Sequence, residues 1–518
     1  MKIKVLERNP VDYLKQKPLE LQRVQHNPDP ALHPFERPRE YVRALNAVKL
    51  GRLFAKPFIR SFAGHRDAVY TLAKHPSQLS LIASGSGDGE VRLWNMTTGE
   101  CLYVLEKAHA GFVRGIAINE KGQFLSCGDD ANIKLWDVRA PTWIPQFEDL
   151  PTAGLKDDVD ELLGQLIHQD QADTSSHRLT PHPSNTSDEY AHVRRFGAPI
   201  YQSAKVLANS GKPISSWICQ TALTSISHQW EKGRVSNSTF ATSSIKSVCV
   251  WDYQRSDPIA EMRWSDIDPD SYLQCSFNPV ETDILAATAT DRSFALFDLR
   301  SKNPIRKLVM SMNNNALAWN PMEAFNFTVA NEDHNLYTFD MRNLDSALNV
   351  HMDHAAAVLD VDYSPTGQEF VSGSYDRTLR IFPVNHGRSR EVYHTKRMQR
   401  IFCVRFSSDT KFVLSASDDT NIRLWKANAS EPLGVLSSRE TQRLQYQQQL
   451  INRYKHLPEI SRIYRKRHVP QAVRYVQKTK HIINHSKKRK LANRLAITSP
   501  ESVNITPLKK QSIIAEEE

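Results

Sequence analysis

The sequence predicts an all-β fold, a seven-bladed propeller with an N-terminal extended arm before it and a C-terminal basic helical tail behind it. Two observations carry that prediction. An Asp followed six residues later by an aromatic recurs as Asp88/Trp94, Asp130/Trp136, Asp291/Phe297, Asp333/Phe339, Asp376/Phe382 and Asp419/Trp425, while at Trp251 the Asp is replaced by Ile245. These aromatics stand 42, 115, 46, 42, 43 and 43 residues apart, and all but one interval match the roughly 40 to 45 residues of a propeller blade. The second observation is local. Glu90 to Trp94, Asn132 to Trp136 and Asn421 to Trp425 alternate polar and apolar residues behind turns rich in Asp, Gly or Ser, as a half-buried strand does after a tight turn. Seven such units arranged radially hide most sheet edges and need no cofactor at the centre.

The recurring phrase is the signature of a WD repeat. In its first copy, Gly64-His65, Asp88 and Trp94 are spaced so that a His before the innermost strand can bond the turn Asp while the indole packs beside them. His109, Asp130 and Trp136 repeat the arrangement, and His354 and Asp376 do so with Phe382, which has no indole N–H. Such a network satisfies polar groups whose burial would otherwise cost about 1–3 kcal/mol each. A pair that recurs in several blades is a staple and marks no unique catalytic site.

In chain order the expected parts are an arm over 1–54, the propeller over 55–436, a basic helical domain over 437–500 and a disordered C-terminus over 501–518. Phe58 to Phe62 and Leu433 to Leu436 compete to supply the outermost strand of the last blade, and the N-terminal segment is favoured. The 115-residue interval exceeds its neighbour by 73 residues, placing an insertion over 141–212. With an acidic stretch around Glu148 to Glu161 and a polar run from Asp170 to Asp188, most of it has too little apolar surface to offset its ordering entropy and reads as disordered. A partner-binding segment is the alternative.

Composition narrows the classes further. No run of 18 apolar residues is present in the 518, so no membrane-spanning helix is expected, and the start lacks the apolar core of a secretory signal. The six cysteines form no CxxC pair, which points to reduced thiols in the cytosol or nucleus and away from zinc. With no nucleophile–base constellation, phosphate-binding glycine loop or metal cluster, neither catalysis, a cofactor nor a small-molecule substrate is expected.

Charge divides the chain. Of 67 Lys and Arg and 57 Asp and Glu, residues 437–518 hold 18 and 6, leaving 49 and 51 for the remainder. The excess positive charge lies in the tail. Ser437 and Glu440 are spaced as a capping box, and Leu444, Leu450, Ile451, Tyr454 and Leu457 follow as an apolar stripe, with shorter stripes at Ile460, Ile463 and Tyr464 and at Val473, Val476 and Ile483. Arg453, Arg462, Arg465, Lys466, Arg467, Arg474, Lys478, Lys480 and the cluster Lys487, Lys488, Arg489 and Lys490 occupy other positions. These twelve are the candidate nucleic-acid-binding residues, since phosphate is the anion such a face fits best. A membrane surface fits poorly because the stripes carry no Trp or Phe. Tyr454, Tyr464 and Tyr475 are candidates for stacking on unpaired bases, or for core positions. The compact cluster also reads as a nuclear import signal. Arg388, Arg390, Lys396, Arg397 and Arg400 form a second basic stretch, on a connection at one rim, and are candidate partner-binding residues.

The motifs Gly64-His65-Arg66-Asp67, Asn278-Pro279-Val280-Glu281, Asn320-Pro321-Met322-Glu323-Ala324-Phe325 and Arg423-Leu424-Trp425-Lys426-Ala427, together with Leu6-Glu7-Arg8-Asn9-Pro10 near the start and the basic helical tail, resemble the WD-repeat and SOF domain-containing protein family over nearly the whole chain. The long insertion departs from that family's pattern. The resemblance implies a scaffold of the nucleolar small-subunit processome, with pre-ribosomal RNA, the box C/D small nucleolar ribonucleoprotein and other processome proteins as partners, in the nucleus and nucleolus. Some family members also look like substrate receptors of cullin-RING ubiquitin ligases, binding the ligase adaptor through a Trp-Asp-x-Arg phrase. Trp136, Asp137 and Arg139 match it here, and Phe297-Asp298-Leu299-Arg300 and Phe339-Asp340-Met341-Arg342 match it in part.

Overall fold

The computed structural model describes residues 35–137, 213–231, 234–264, 271–498 and 506–517. Residues 1–34 and the expected insertion at 141–212 therefore lie outside the described residues. The described chain forms two compact units, one of 428–467 with the residues up to Pro57, the other of 58–427 with 468–518.

The larger unit is a seven-bladed β-propeller of antiparallel blades. Its repeating Asp has a conformational cause. Asp88, Asp130, Asp291, Asp333 and Asp376 each accept the backbone N–H two residues on, at 2.9–3.3 Å, closing the turn between the second and third strands. The residue after each Asp is left-handed, with φ of +81° at Gly89, +57° at Ala131, +70° at Arg292, +76° at His334 and +62° at Arg377. Only in the first of these turns is that conformation free of Cβ strain.

The repeating aromatic packs between blades, and its polar atom is satisfied by a residue the sequence reading missed. The indole Nε1–H of Trp94, Trp136 and Trp425 donates to the hydroxyl of Ser84, Ser126 and Ser415, ten residues upstream, at 2.8, 2.9 and 2.9 Å. Thr242 does the same for Trp251 at 2.9 Å. The His joins at this serine: His109 lies 2.7 Å from Ser126 Oγ through Nε2 and 2.9 Å from Asp130 through Nδ1, and His354 lies 2.7 Å from Ser372 and 3.0 Å from Asp376. Blade 1 departs from the expected staple. Asp88 is exposed, and His65 Nδ1 faces Glu90 at 3.5 Å instead, with Glu90 held by Arg92 at 2.6 Å. The longer side chain two positions on reaches the buried imidazole, and Asp88 is left with the turn.

Ring closure falls in blade 7, where Phe58–Phe62 pairs antiparallel with Ile422–Lys426 outside Phe412–Ser417 and Ile401–Phe406. Blade 4 gains a fifth strand: Ile513–Glu517 pairs with Asn303–Met310, and Ile513 packs against the cluster around Leu308 and Met310. The C-terminal segment expected to be disordered is thus in part an edge strand, because an open sheet edge supplies the partners that five residues with two adjacent isoleucines cannot supply locally.

The expected extended arm is also corrected. Helix α1, Glu36–Arg52, packs with α2, Ser438–Tyr454, and α3, Pro458–Tyr464, around Ala44, Val48, Leu450 and Ile460. Ser437 and Glu440 close the capping box of α2, and Tyr454 donates to Glu40 at 2.6 Å. The expected single helical domain over 437–500 is accordingly divided: its first half belongs with α1, its second with the propeller.

Two buried imidazoles tie stability to pH. Burial pushes His228 and His351 down to about 4; His351 donates from Nδ1 to the His386 carbonyl at 2.9 Å, leaving Nε2 to accept from Thr338 at 3.1 Å. An unfolded His titrates near ~6.5, so the unfolded chain binds more protons between ~4 and ~6.5, and stability is full above that window and declines as pH falls through it. The urea midpoint should drop between pH 7 and pH 5, and in His351→Gln the pH-dependent part of that drop should shrink. Ser126→Ala, which strips a partner from both His109 and Trp136, should cost about 1–3 kcal/mol in the same assay. Asp88→Ala, at an exposed turn, should cost under about 1 kcal/mol.

Candidate nucleic-acid interface

Helix α4, Gln471–Ile497, carries eight Lys and Arg and no Asp or Glu. Like charges at Arg474 and Lys478 and at Lys490 and Arg494 sit one turn apart, each pair disfavouring the helix by a few tenths of a kcal/mol. No side chain caps its first turn. The helix must therefore be held from outside, and its N-terminal half is. Val473 is buried, Gln477 donates to the Asp353 carbonyl at 2.7 Å, and Lys480 Nζ donates to the carbonyls of His354 and Ala355 at 3.3 and 3.4 Å. Just before the helix, His468 and His394 share a hydrogen bond of 3.0 Å. These contacts dock α4 on the connection between blades 5 and 6, and the segment before it on the connection between blades 6 and 7, at the end of the propeller that carries the Asp turns.

Beyond Lys480 the helix meets solvent. Lys487, Lys488, Arg489 and Lys490 are exposed, as are Arg474, Lys478 and Arg494. Ile482 and Ile483 are 59% and 47% exposed, so this part of α4 offers both charge and apolar surface. Tyr475, at 72% exposure, is the one of the three tyrosines free to stack. Tyr454 and Tyr464 pack in the core of the helical unit, Tyr464 beneath Arg52 and Lys455.

The twelve candidate cations do not form one face. Arg453, Arg462, Arg465, Lys466 and Arg467 belong to the helical unit, the others to the propeller unit. Arg453 pairs with Glu40 at 3.0 Å, whereas Arg462, Arg465 and Lys466 are exposed. Lys480 needs correction. Burial lowers its pKa against the pull of Asp376 and Asp333, and it serves as an anchor.

The candidate partner residues divide similarly. Trp136 is buried in the staple, Asp137 is half-buried, and Arg139 lies outside the described residues. Arg390 is bound to Glu369 at 2.9 Å and to the Ala427 carbonyl at 3.1 Å, a structural role. Arg388, Lys396 and Arg397 are exposed, and Arg400 lies over the Tyr375 ring at 5.0 Å. Of the partial matches, Arg342 is held bidentately by Asp340 at 3.1 and 2.8 Å and lies 4.2 Å over Phe325, yet stays 62% exposed.

Repeats, staples and ring closure define a WD-repeat β-propeller, here joined to a cationic helical region. The model for the WD domain, G-beta repeat, matches residues 56–95, 99–137, 346–382 and 390–426, and that for the Sof1-like domain matches 427–513. Whole-length similarity points the same way. The chain is 45% identical over 516 residues to DDB1- and CUL4-associated factor 13 of Xenopus laevis and 44% to that of Homo sapiens, each over 99% of both chains. It is 40% identical over 527 residues to Protein SOF1 of Saccharomyces cerevisiae, covering 99% of this chain and 94% of the relative. The chain belongs to the WD-repeat and SOF domain-containing protein family.

Replacing Lys487, Lys488, Arg489 and Lys490 together by Gln should weaken binding to single-stranded polyanions. The slope of log affinity against log salt should fall by about 3 in magnitude, since each neutralised phosphate contributes about 0.7.

Proposed function

We propose that this protein is a non-enzymatic assembly factor of the nucleolar small-subunit processome, acting in pre-rRNA processing with the box C/D small nucleolar ribonucleoprotein. Membership of the WD-repeat and SOF domain-containing family, with the Sof1-like domain over 427–513, supports a ribosome-assembly role. The observation that carries the nucleic-acid part is α4: eight cations without one acid, docked on the propeller at Gln477 and Lys480 and bare beyond. The propeller supplies protein-binding faces, and α4 takes phosphate from a neighbouring RNA. Crosslinking of the full chain in purified pre-ribosomal particles tests this: RNA adducts are expected at 487–494, and their absence, with adducts confined to the propeller, overturns it. A substituted full chain serves better than a deletion of 437–518, which would also remove the core of the helical unit and the fifth strand of blade 4.

A second reading, substrate receptor of a cullin-RING ligase, is favoured by the relatives named for DDB1 and CUL4 and by the fixed, exposed guanidinium of Arg342. Capture of the DDB1 adaptor by the full chain, reduced about tenfold in Arg342→Ala or Arg139→Ala, supports it. Equal capture by both variants removes it.

A further inference from the structure

The fifth strand of blade 4 is an addition that the propeller does not need. The six other blades close with four strands each, so removing Ile513–Glu517 leaves blade 4 like the rest. Its hold is slight: four Cα pairs with Lys307, Leu308, Val309 and Met310, broken by one irregularity, and a 3.5 Å ion pair from Glu516 to Arg306. Ile513 packs into the cluster around Leu308 and Met310, while Ile514 is 59% exposed. A short strand at a sheet edge, with one apolar anchor, is among the first elements to open.

Just before this strand, one hydroxyl has no role in the docked state. Lys509 and Ser512 are held through their carbonyls, which accept from the N–H groups of Ala347 at 3.2 Å and Ser311 at 2.9 Å. That seats Ser512 between blades 4 and 5 at 5% exposure. Its Oγ lies beside the Tyr337 hydroxyl but makes no hydrogen bond among the described residues, and the phenol donates to Asp333 instead. A buried hydroxyl without a partner costs stability that an Ala would not. The surroundings also disfavour an anion: burial first, then the Asp333 carboxylate, raise the Tyr337 pKa. Upstream, Lys509 and Lys510 stand three and two positions before Ser512 and are exposed, the charge pattern that a kinase with an acidic substrate groove accepts.

We propose that Ser512 is a phosphorylation site whose modification keeps the fifth strand of blade 4 undocked. With the strand detached, Ser512 Oγ attacks the γ-phosphorus of magnesium-bound ATP in the kinase. The new O–P bond replaces the one to ADP, which leaves, and the hydroxyl proton passes to the base of the kinase. A phosphate dianion does not return to the dry seat beside Asp333, so the modified strand stays out and the edge of Asn303–Met310 is open. The site is independent of α4 and of the RNA reading. The test incubates the full chain with magnesium ATP and the catalytic subunit of cyclic-AMP-dependent protein kinase, and follows phosphate on the tryptic fragment 511–518, whose one hydroxyl is that of Ser512. Slow incorporation is expected in the parent, with a rate about tenfold higher in Ile513→Ala, which loosens the strand. Ser512→Glu should speed amide hydrogen exchange over Lys307 to Ser311 about tenfold relative to Ser512→Ala, while the thermal transition of the propeller is retained. No phosphate on that fragment in either protein, equal rates in both, or equal exchange in the two Ser512 variants overturns the proposal.

Discussion

Seven blades packed in a circle leave one seam, and in this chain the seam is carried by hydrogen bonds between Phe58–Phe62 and Ile422–Lys426. Phe62, 2% exposed, lies among Ile422, Leu424 and Cys403 of blade 7 and also against Trp94 of blade 1. A single strand therefore completes the last sheet and seats the first. Burying one such phenylalanine contributes about 2–3 kcal/mol, and the entropy of joining segments so far apart rises only slowly with the length between them. Without the strand, blade 7 would end on the unpaired edge of Ile422–Lys426 and Trp94 of blade 1 would lose the Phe62 ring.

What lies outside the circle obeys a different economy. The helical unit is held by apolar contact, with Ala44 and Val48 admitting Leu450 and Ile460 at close range. Helix α4 is held by polar contact with backbone carbonyls, and its remaining charge has no internal counterpart. The two halves of the Sof1-like region thus differ in kind: one spends its apolar residues on a core, the other leaves Ile482 and Ile483 in solvent beside its cations.

How much of this was legible in the sequence depends on whether the cause of each element was local. Blade number and register were, because the turn Asp and the buried aromatic answer to constraints within ten residues of each other. Ser84, Ser126 and Ser415 answer to the same constraint at a constant spacing from each Trp, so the signal was present, but a small residue in a strand attracts no notice. In blade 1 the exchange of Asp88 for Glu90 was hidden, because both carboxylates fit the spacing and only the depth of the imidazole decides. Helix α1 and the strand Ile513–Glu517 could not be read from their own residues, since what stabilises them is supplied by segments more than two hundred positions away. Among the candidate cations, residue type was informative and direction was not: Lys480 and Arg390 differ from their neighbours only in facing a carbonyl or a carboxylate.

The placement of Phe58–Phe62 also bears on how the chain is made. Its partner Ile422–Lys426 is translated 360 residues after Phe62, and at ~5–20 residues per second that is a delay of roughly 20–70 s. During that interval blades 1 to 6 are able to assemble one after another while the first strand stands idle, its backbone donors exposed. A nascent chain of this kind passes through a long-lived horseshoe, and it is the horseshoe, with two raw edges, that holdase chaperones would meet.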